Sequence, residues 1–293
     1  MPDAVVAQEV KLGAALRLAT ADLCRAGIEG AGNDARRLAS AVLGWSAAHI
    51  LARPERPLRP AEILSFDRCI ARRAAREPVS RILGEREFYG RTFGISPATL
   101  DPRADSETLI DTTLELVALE GWQSRSLRLL DVGTGSGSLL LTLLAELPGA
   151  YGVGSDVSAA ALQMASANAV RLGLAERAGW LAGDLIEAVR GPFDILISNP
   201  PYIPSAEIAQ IEPEVRKHDP VLALDGGVDG FSFFRRLSAQ VGGIVPDGWV
   251  VFETGHDQAD GVATLLAAQG LKNIRVQRDV AGRRRCVAAR TRN

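Results

Sequence analysis

The chain has 293 residues, of which 47% are apolar and 23% charged, and its formal net charge is −2. This is the composition of a globular protein that forms one large domain, or a medium domain joined to a small one. It excludes a disordered chain, a coiled coil and a small scaffold held together by disulfides. A net charge so close to zero also argues against a protein that coats nucleic acid.

The cysteine pattern and the N-terminal residues indicate the cellular compartment of the protein. Cys24, Cys69 and Cys286 lie far apart, without a CxxC pair or a neighbouring pair of histidines. We therefore predict no metal site and no disulfide, as in a reducing compartment. The N-terminus lacks the basic start and apolar block of a signal peptide, and no apolar run reaches the roughly 18 residues of a membrane span. These features predict a soluble cytoplasmic protein that does not contact a membrane.

Residues 1–83 are predicted to form a small all-α domain. Apolar residues recur at helical spacing over 12–23, and two further helices are predicted over 34–43 and 61–76. This domain has 13 Lys and Arg against 9 Asp and Glu, so it carries +4 and the remainder carries −6. A docking surface for a partner and a solvated helix face explain this charge equally well.

Residues 84–104 are predicted to form a β-hairpin that links this domain to the rest of the chain. The segment EREFYGRTFGISPATL is short and aromatic, and it is interrupted by Gly90, Gly94 and Pro97. Glycine and proline at such short intervals are typical of turns between strands.

Residues 105–293 have the rhythm of an α/β domain. After a first helix, strands alternate regularly with helices, which predicts a parallel sheet covered by helices on both faces. The last two strands are joined by a short turn over 280–284, so the last strand runs antiparallel. The arginines in this turn region, 283–285, are interpreted as solvated. We predict a doubly wound, mostly parallel, seven-stranded Rossmann-like sheet with strands over 127–132, 150–155, 178–182, 193–198, 249–253, 274–278 and 285–289.

A glycine-rich turn follows the first predicted strand of the sheet. In LLDVGTGSGSLLL, Gly133, Gly135 and Gly137 let the backbone turn sharply and approach a ligand closely. In a sheet of this kind the ligand lies beyond the carboxyl ends of the strands. Ser138 stands where the dinucleotide fingerprint has its third glycine, and the Gly-Lys pair of a phosphate loop is absent. The turn therefore predicts a ligand without a pyrophosphate.

An acidic residue marks each of the first three strand ends. Asp131 is suited to a cationic amino-acid group, Asp156 to ribose hydroxyls and Asp184 to the exocyclic amine of an adenine. One such acid alone is more simply explained as a turn residue. All three around a G-x-G-x-G turn predict a site for S-adenosylmethionine, with S-adenosylhomocysteine as the product.

The sharpest signal is FDILISNPPYIP, where an apolar strand runs into Asn199, Pro200, Pro201 and Tyr202. The prolines fix φ and remove two backbone donors, so the loop is stiff and its carbonyls are free to accept hydrogen bonds. The Asn199 side-chain oxygen and the Pro200 carbonyl can both accept from one planar –NH₂ group, against whose face Tyr202 can lie. Such a nitrogen is a poor nucleophile, and two acceptors aim its lone pair at a methyl group on sulfonium. The pattern predicts methyl transfer to an amide or an aromatic amine.

With these motifs the sequence resembles the PrmC/HemK family, the N5-glutamine methyltransferases of peptide chain release factors. DVGTGSG resembles the family's cofactor motif, SNPPYIP its substrate motif and EPVSRILGEREFYG its interdomain signature, so the resemblance covers nearly the whole chain. It implies methylation of the glutamine in the Gly-Gly-Gln loop of class 1 release factors, with no direct binding of nucleic acid. Residues 1–83 would then dock the substrate, and we expect a monomer.

The resemblance also implies roles for individual residues. Asn199 and Pro200 would bind the substrate amide as catalytic residues, and Pro201 and Tyr202 would shape its slot. The cofactor would be lined by Asp131, Gly133, Thr134, Gly135, Ser136, Gly137, Asp156, Asp184, Leu185 and Asn199.

Three further residues near these motifs have less defined roles. Arg103 and Glu107 would help to close the cofactor pocket, in a stretch that reads DPRADSE where the family commonly reads IPRPDTE. The departures indicate a less rigid segment. Glu253 in FETGHDQ is explained either as a capping or salt-bridge residue or as a group near the substrate.

Other functions remain open. NPPY is shared with adenine-N6 methyltransferases of DNA and RNA and with enzymes that methylate a ribosomal protein, so it determines the chemistry rather than the substrate. A nucleic-acid enzyme would need basic and aromatic residues together, and residues 1–83 have only Trp45 and Phe66 as aromatics. A docking protein without activity could keep the fold, but the intact GxGxG and NPPY argue against it.

Overall fold

The computed structural model describes residues 9–291, and the chain divides into two compact units, Met1–Gly84 and Glu85–Asn293. The first unit has one hydrophobic core and the second has two. Among the described residues, we find no helix that is both long enough and apolar enough to cross a membrane.

The first unit is helical throughout its described part, as predicted. It contains α1 (Leu12–Arg25), α2 (Ala31–Leu43), α3 (Ala47–Ala52), α4 (Pro60–Ala74) and α5 (Val79–Leu83). The apolar stripe of α1 enters the core through Leu12, Ala19 and Leu23. α3 and α5 have only 6 and 5 residues, so neither shows a helical period in the sequence.

The second unit begins with a hairpin. Its strands, β1 (Glu85–Phe88) and β2 (Arg91–Gly94), pair antiparallel. Tyr89 and Gly90 between them have φ of 49° and 69°. Two successive residues of positive φ are typical of the turn that joins a two-residue hairpin. Phe93 is fully buried, so the hairpin is anchored in a core of this unit.

A seven-stranded sheet forms the centre of the second unit. Its strands are β3 (Arg128–Val132), β4 (Tyr151–Asp156), β5 (Ala178–Ala182), β6 (Ile195–Ser198), β7 (Trp249–Glu253), β8 (Lys272–Arg278) and β9 (Arg284–Arg290). Their order is β5-β4-β3-β6-β7-β9-β8. The pairs from β5 to β7 are parallel, and β9 pairs antiparallel with both β7 and β8. The predicted doubly wound sheet with an antiparallel last strand is confirmed.

Helices cover both faces of this sheet. Within residues 85–291 they are α6 (Glu107–Leu119), α7 (Ser138–Glu146), α8 (Ala159–Arg171), α9 (Pro213–His218), α10 (Ser232–Ser238), α11 (Val241–Ile244) and α12 (Ala259–Ala268). Leu129 of β3 belongs to the core on one face and Leu130 to the core on the other. Burial on both faces explains why the central strands are continuous apolar runs.

The strand order reverses beside β3. The chain runs outwards from β3 to β4 and β5 and then returns with β6 to the other side of β3. Val132 and Ser198, the last residues of β3 and β6, are partners in register. The loops that start at Gly133 and Asn199 therefore leave the sheet side by side, at the switch point where open α/β sheets bind ligands.

Candidate active site

A cavity of about 410 Å³ opens at this edge of the sheet. Its volume lies in the range of small-molecule sites. Its wall includes most of the residues predicted for the site, namely Gly133, Thr134, Gly135, Ser136, Asp156, Asp184, Leu185, Asn199, Pro200 and Pro201. Asp131, Gly137 and Tyr202 are not part of this wall.

The glycine turn is held by the neighbouring strand. The N–H groups of Gly133 and Thr134 both donate to the carbonyl of Ser155 on β4, at 2.8 and 2.9 Å. Gly135 on the wall has a φ of 56°, which favours glycine. Gly137 has a different role, because a Cβ there would lie 3.1–3.2 Å from three core side chains. It allows the turn to pack closely on the protein rather than on a ligand.

Asp131 lies beneath the turn and does not reach the cavity. Its side chain is fully buried, and its Oδ2 accepts a hydrogen bond from Thr134 Oγ1 at 2.6 Å. Its Oδ1 has no partner among the described residues. Burial raises the pKa of Asp131 to about 7, although the Thr134 hydroxyl acts in the opposite direction. Asp131 therefore holds Thr134 in place, and its side chain is not positioned to contact the amino-acid group of a cofactor.

Asp156 ends β4 and lies on the cavity wall. Its Oδ2 accepts from the N–H of Gly135 at 2.9 Å, and its Oδ1 accepts from the N–H of Ser158 at 2.8 Å. Each carboxylate oxygen can accept a further hydrogen bond. The backbone thus fixes this carboxylate while leaving it able to accept from hydroxyl groups of a ligand.

Asp184 and Leu185 follow β5. Asp184 accepts a hydrogen bond from Arg236 Nη2 at 2.6 Å, and both side chains line the cavity. Leu185 has a φ of 52°, which is uncommon for a residue with a side chain, and its carbonyl accepts from the Ser155 hydroxyl at 3.2 Å. The structure therefore brings both predicted residues to the wall and adds an arginine that the motifs did not indicate.

Asn199 directly follows β6 and lies on the wall with Pro200 and Pro201. Its Nδ2 donates to the Ser106 hydroxyl at 3.2 Å. Because the amide nitrogen is used inside the protein, the amide oxygen is left for a ligand. The carboxyl of Glu253, at the end of β7, lies next to both Ser106 and Asn199, and burial raises its pKa to about 7.

Tyr202 lies behind the wall, where the protein holds its backbone. Its carbonyl accepts from Nε2 of the buried Gln258 at 2.9 Å. A Cβ on Gly226 would lie 2.7 Å from Tyr202 Cα, and one on Gly230 would lie 2.4 Å from the Tyr202 carbonyl oxygen. These close approaches fix the Asn-Pro-Pro-Tyr loop from behind. Burial raises the pKa of the Tyr202 hydroxyl, so it stays protonated at neutral pH.

Arg103 and Glu107 have separate positions. Arg103 lines the cavity and forms an ion pair with the buried Asp219. Glu107 is not on the wall, and its Oε1 accepts from the N–H of Tyr89 in the hairpin at 2.9 Å. Arg103 therefore shapes the cavity, whereas Glu107 fixes the hairpin.

Asn168 of α8 belongs to no motif, yet it connects two parts of the site. Its Oδ1 accepts from the N–H of Gly94 at 2.7 Å, and its Nδ2 donates to the carbonyls of Gly94 and Ser136 at 2.9 and 2.8 Å. It is 1% exposed. The sequence signal for it is a polar residue one turn from Ala165, on the buried stripe of its helix.

We predict that Asn168→Ala loosens the glycine turn and the hairpin together. Three backbone groups of Gly94 and Ser136 would lose their partner inside the protein. The free energy of unfolding in urea should fall by about 2–4 kcal/mol. Asn168→Asp serves as a control, because it can still accept from Gly94 but cannot donate to either carbonyl, and it should also destabilise. A loss below about 0.5 kcal/mol for both variants would contradict this role.

We also predict that Asp131→Asn changes the pH dependence of stability. The folded protein holds a proton on Asp131 up to about pH 7, whereas the unfolded chain releases it near the ordinary aspartate pKa of 3.8. Stability therefore falls as the pH rises between these two values. From pH 5 to pH 8, the free energy of unfolding of the unsubstituted protein should fall more than that of Asp131→Asn. Glu253 contributes equally to both proteins, so the comparison isolates Asp131. Parallel pH profiles would contradict the prediction.

Comparison with known proteins defines the family. The family models for the PrmC N-terminal domain and the methyltransferase small domain match residues 14–84 and 104–215. The release factor glutamine methyltransferase of Rhodospirillum rubrum is 48% identical over 91% of this chain and 81% of its own length. That of Bradyrhizobium diazoefficiens is 47% identical over 94% of this chain and 93% of its own length.

The fold is shared with a more distant protein of known structure. The N-terminal domain of human METTL16, solved in complex with SAH, has a TM-score of 0.53 and 17% identity over 89% of this chain and 95% of that chain. Identity this low shows the fold alone. The identity to the two bacterial enzymes is much higher and extends over both units. The resemblance found in the motifs is thereby confirmed, and the chain belongs to the release factor glutamine methyltransferase family.

Proposed function

We propose that this protein transfers a methyl group from S-adenosylmethionine to the side-chain amide nitrogen of the glutamine in the Gly-Gly-Gln loop of class 1 release factors. The observation that carries the proposal is the shared cavity. Asn199 and Pro200 line the same space as the glycine turn and Asp156. The substrate is the one named for relatives that are 47–48% identical.

The charges on the wall fit this cofactor. Arg103 and Arg236 are paired with Asp219 and Asp184, so the positive charge of each arginine is balanced by a carboxylate. The Asp156 carboxylate keeps acceptor capacity for ribose hydroxyls. We assign Asp156 to the ribose, Asp184 and Leu185 to the adenine, and the turn from Gly133 to Gly137, supported by Asp131, to the amino-acid end. The METTL16 domain with the same fold contains SAH.

The cofactor would supply a methyl group on a positively charged sulfur. The protein would supply position and polarity. Asn199 Oδ1 and the Pro200 carbonyl would accept the two hydrogens of the substrate amide and aim its nitrogen lone pair along the transfer path. Alignment of this kind is worth about 7–11 kcal/mol at most. The two oxygen dipoles would also stabilise the positive charge that develops on the nitrogen. As the new bond forms, the nitrogen would become acidic and release one of its two hydrogens as a proton, and the sulfur would leave uncharged.

The prolines and the tyrosine would make this arrangement rigid. Pro200 and Pro201 lack the N–H groups that would compete for the carbonyls. Tyr202 would shape the slot through its backbone, which Gln258 holds at 2.9 Å. A preorganised loop would not need to be ordered at the moment of transfer.

The helical domain would dock the release factor. Residues 1–83 carry a net charge of +4, and residues 14–84 match the PrmC N-terminal domain. A positively charged domain would be attracted to acidic surface on a protein partner. We propose that the enzyme works as a monomer in the cytoplasm, where translation terminates, and that it binds no nucleic acid directly.

The function predicts a specific pattern of labelling. With labelled S-adenosylmethionine, the protein should methylate a class 1 release factor at the Gly-Gly-Gln glutamine, and neither duplex DNA nor ribosomal protein. Asn199→Ala should lower kcat/KM by about 10²–10³-fold through the loss of one acceptor. Asn273→Gly is the control, because it removes an exposed asparagine at a φ of 50° that glycine tolerates, and it should leave activity unchanged. Label on DNA or on ribosomal protein alone would overturn the proposal.

The assignment of Asp156 predicts a separate effect on the cofactor. Asp156→Ala should weaken binding of S-adenosylhomocysteine about ten- to a hundredfold in calorimetry, because ribose hydroxyls would lose a charged acceptor. Asp260→Ala removes a carboxylate whose side chain is 79% exposed and is the matched control, with no expected change. An unchanged dissociation constant for Asp156→Ala would show that the ribose lies elsewhere.

A further inference from the structure

Three side chains from separate elements meet at the cavity wall, which Ser106 and Asn199 line. Ser106 precedes α6, Asn199 follows β6 and Glu253 ends β7. Ser106 and Glu253 are 4% and 2% exposed. Asn199 Nδ2 donates to Ser106 Oγ at 3.2 Å. Ser198 and Phe252 are partners in register, so the Glu253 carboxyl lies next to Asn199, and it lies next to Ser106 as well. The second carboxyl oxygen, Oε2, has no partner among residues 9–291.

The orientation of the Asn199 amide decides whether it can serve the reaction. Its oxygen accepts hydrogen bonds and its nitrogen donates them, and the two ends have nearly the same size. A rotation of 180° would therefore exchange them at little steric cost. A nitrogen turned to the cavity would place a donor against the donors of the substrate amide. The protein must specify that the oxygen faces outwards.

Ser106 alone cannot specify the orientation, because a hydroxyl both donates and accepts. An ionised carboxylate only accepts. An ionised Glu253 would accept the hydroxyl hydrogen of Ser106 and one amide hydrogen of Asn199. Ser106 and Glu253 would then both require a donor from Asn199, which only its amide nitrogen can supply. We propose that Ser106 and Glu253 are positioning residues that hold the Asn199 amide oxygen towards the substrate. The inference rests on the proposed role of Asn199 in binding a glutamine amide.

Titratable and charged groups face Glu253 from several elements. They are Arg285 and Cys286 on β9, Asp105 before α6, and Tyr202 after β6. Arg285 is 7% exposed, although the sequence predicted it as solvated, and it pairs with Asp105 at 2.9 Å. Arg285 Nε also lies 3.5 Å from Asp279 Oδ2, so the positive charge that could stabilise an ionised Glu253 is shared with two other carboxylates.

The protonation of Glu253 is expected to change near neutral pH. Burial raises its pKa to about 7, and Ser106, Arg285 and Asn199 lower it only in part. The protonated carboxyl would donate to Ser106, whose own hydrogen could then turn to Asn199 Oδ1. The amide orientation is enforced only by the ionised form, so activity should rise with pH through about 7.

Kinetics of the full chain test the positioning role. We expect Glu253→Gln and Ser106→Ala each to lower kcat for methylation of a release factor at pH 8 by at least about tenfold. The dissociation constant for S-adenosylhomocysteine should stay within about threefold. The rise of kcat between pH 6 and pH 8 should disappear in Glu253→Gln. Ser106→Thr keeps the hydroxyl and should recover most of the activity.

A matched control separates positioning from packing. Thr113→Val removes a buried hydroxyl that donates only to the Leu109 carbonyl, at 2.8 Å, and kcat and its pH profile should stay unchanged. Full activity of Glu253→Gln, or a retained pH-dependent rise in it, would overturn the inference. Failure of Ser106→Thr to exceed Ser106→Ala would do the same.

NMR provides a readout that needs no substrate. The side-chain NH₂ signals of Asn199, identified by their loss in Asn199→Ala, should shift between pH 6 and pH 8 in the unsubstituted protein and not in Glu253→Gln. Invariant signals would overturn the positioning role even if the release factor is methylated. Shifting signals without methylation of any glutamine would overturn the proposed function and leave the positioning role standing.

Discussion

The candidate site depends on the parallel pairing of two neighbouring strands. Val132 and Ser198 are partners at the carboxyl ends of β3 and β6. This register places the first residue of the glycine turn beside the first residue of the Asn-Pro-Pro-Tyr loop. A ligand held by one loop is therefore presented to the other without any further movement of the chain. The side chains of these strands are closely packed in the cores on both faces of the sheet, which protects this register.

Buried polar side chains fix the two loops that follow β3 and β6. Asn168 holds the glycine turn to the hairpin, and Gln258 holds the Asn-Pro-Pro-Tyr loop to the turn at Gly230. Each side chain donates and accepts, so the backbone groups that bend away from regular structure find partners. Asp131 and Glu253 are less well satisfied, and burial raises the pKa of each to about 7. The second unit thus contains two carboxyl groups that cost stability when they ionise.

The sequence predicts the two loops that form the site better than it predicts the buried residues that hold these loops in place. Glycine and proline restrict the backbone locally, so the turn after Val132 and the loop after Ser198 are visible without a structure. The roles of Asp131 and Tyr202 depend on which side of a loop faces the cavity, and the structure places both outside its wall. Asn168 and the buried Arg285 act on partners distant in the sequence, at separations of 74 and 180 residues, so no local pattern reveals them.

The segment 101–107 shows how a departure from the family pattern can be offset. The sequence predicts a less rigid stretch, because Ala104 replaces a proline. In the structure, alternate residues of the segment are tied by polar contacts. Asp101 lies 3.7 Å from Arg86, Arg103 pairs with Asp219, Asp105 with Arg285 and Glu107 with the backbone of Tyr89. Contacts to four separate points restrain the chain more than one fixed φ would. Ser106 lies within this restrained stretch, which is why its hydroxyl can serve as a fixed reference for the Asn199 amide.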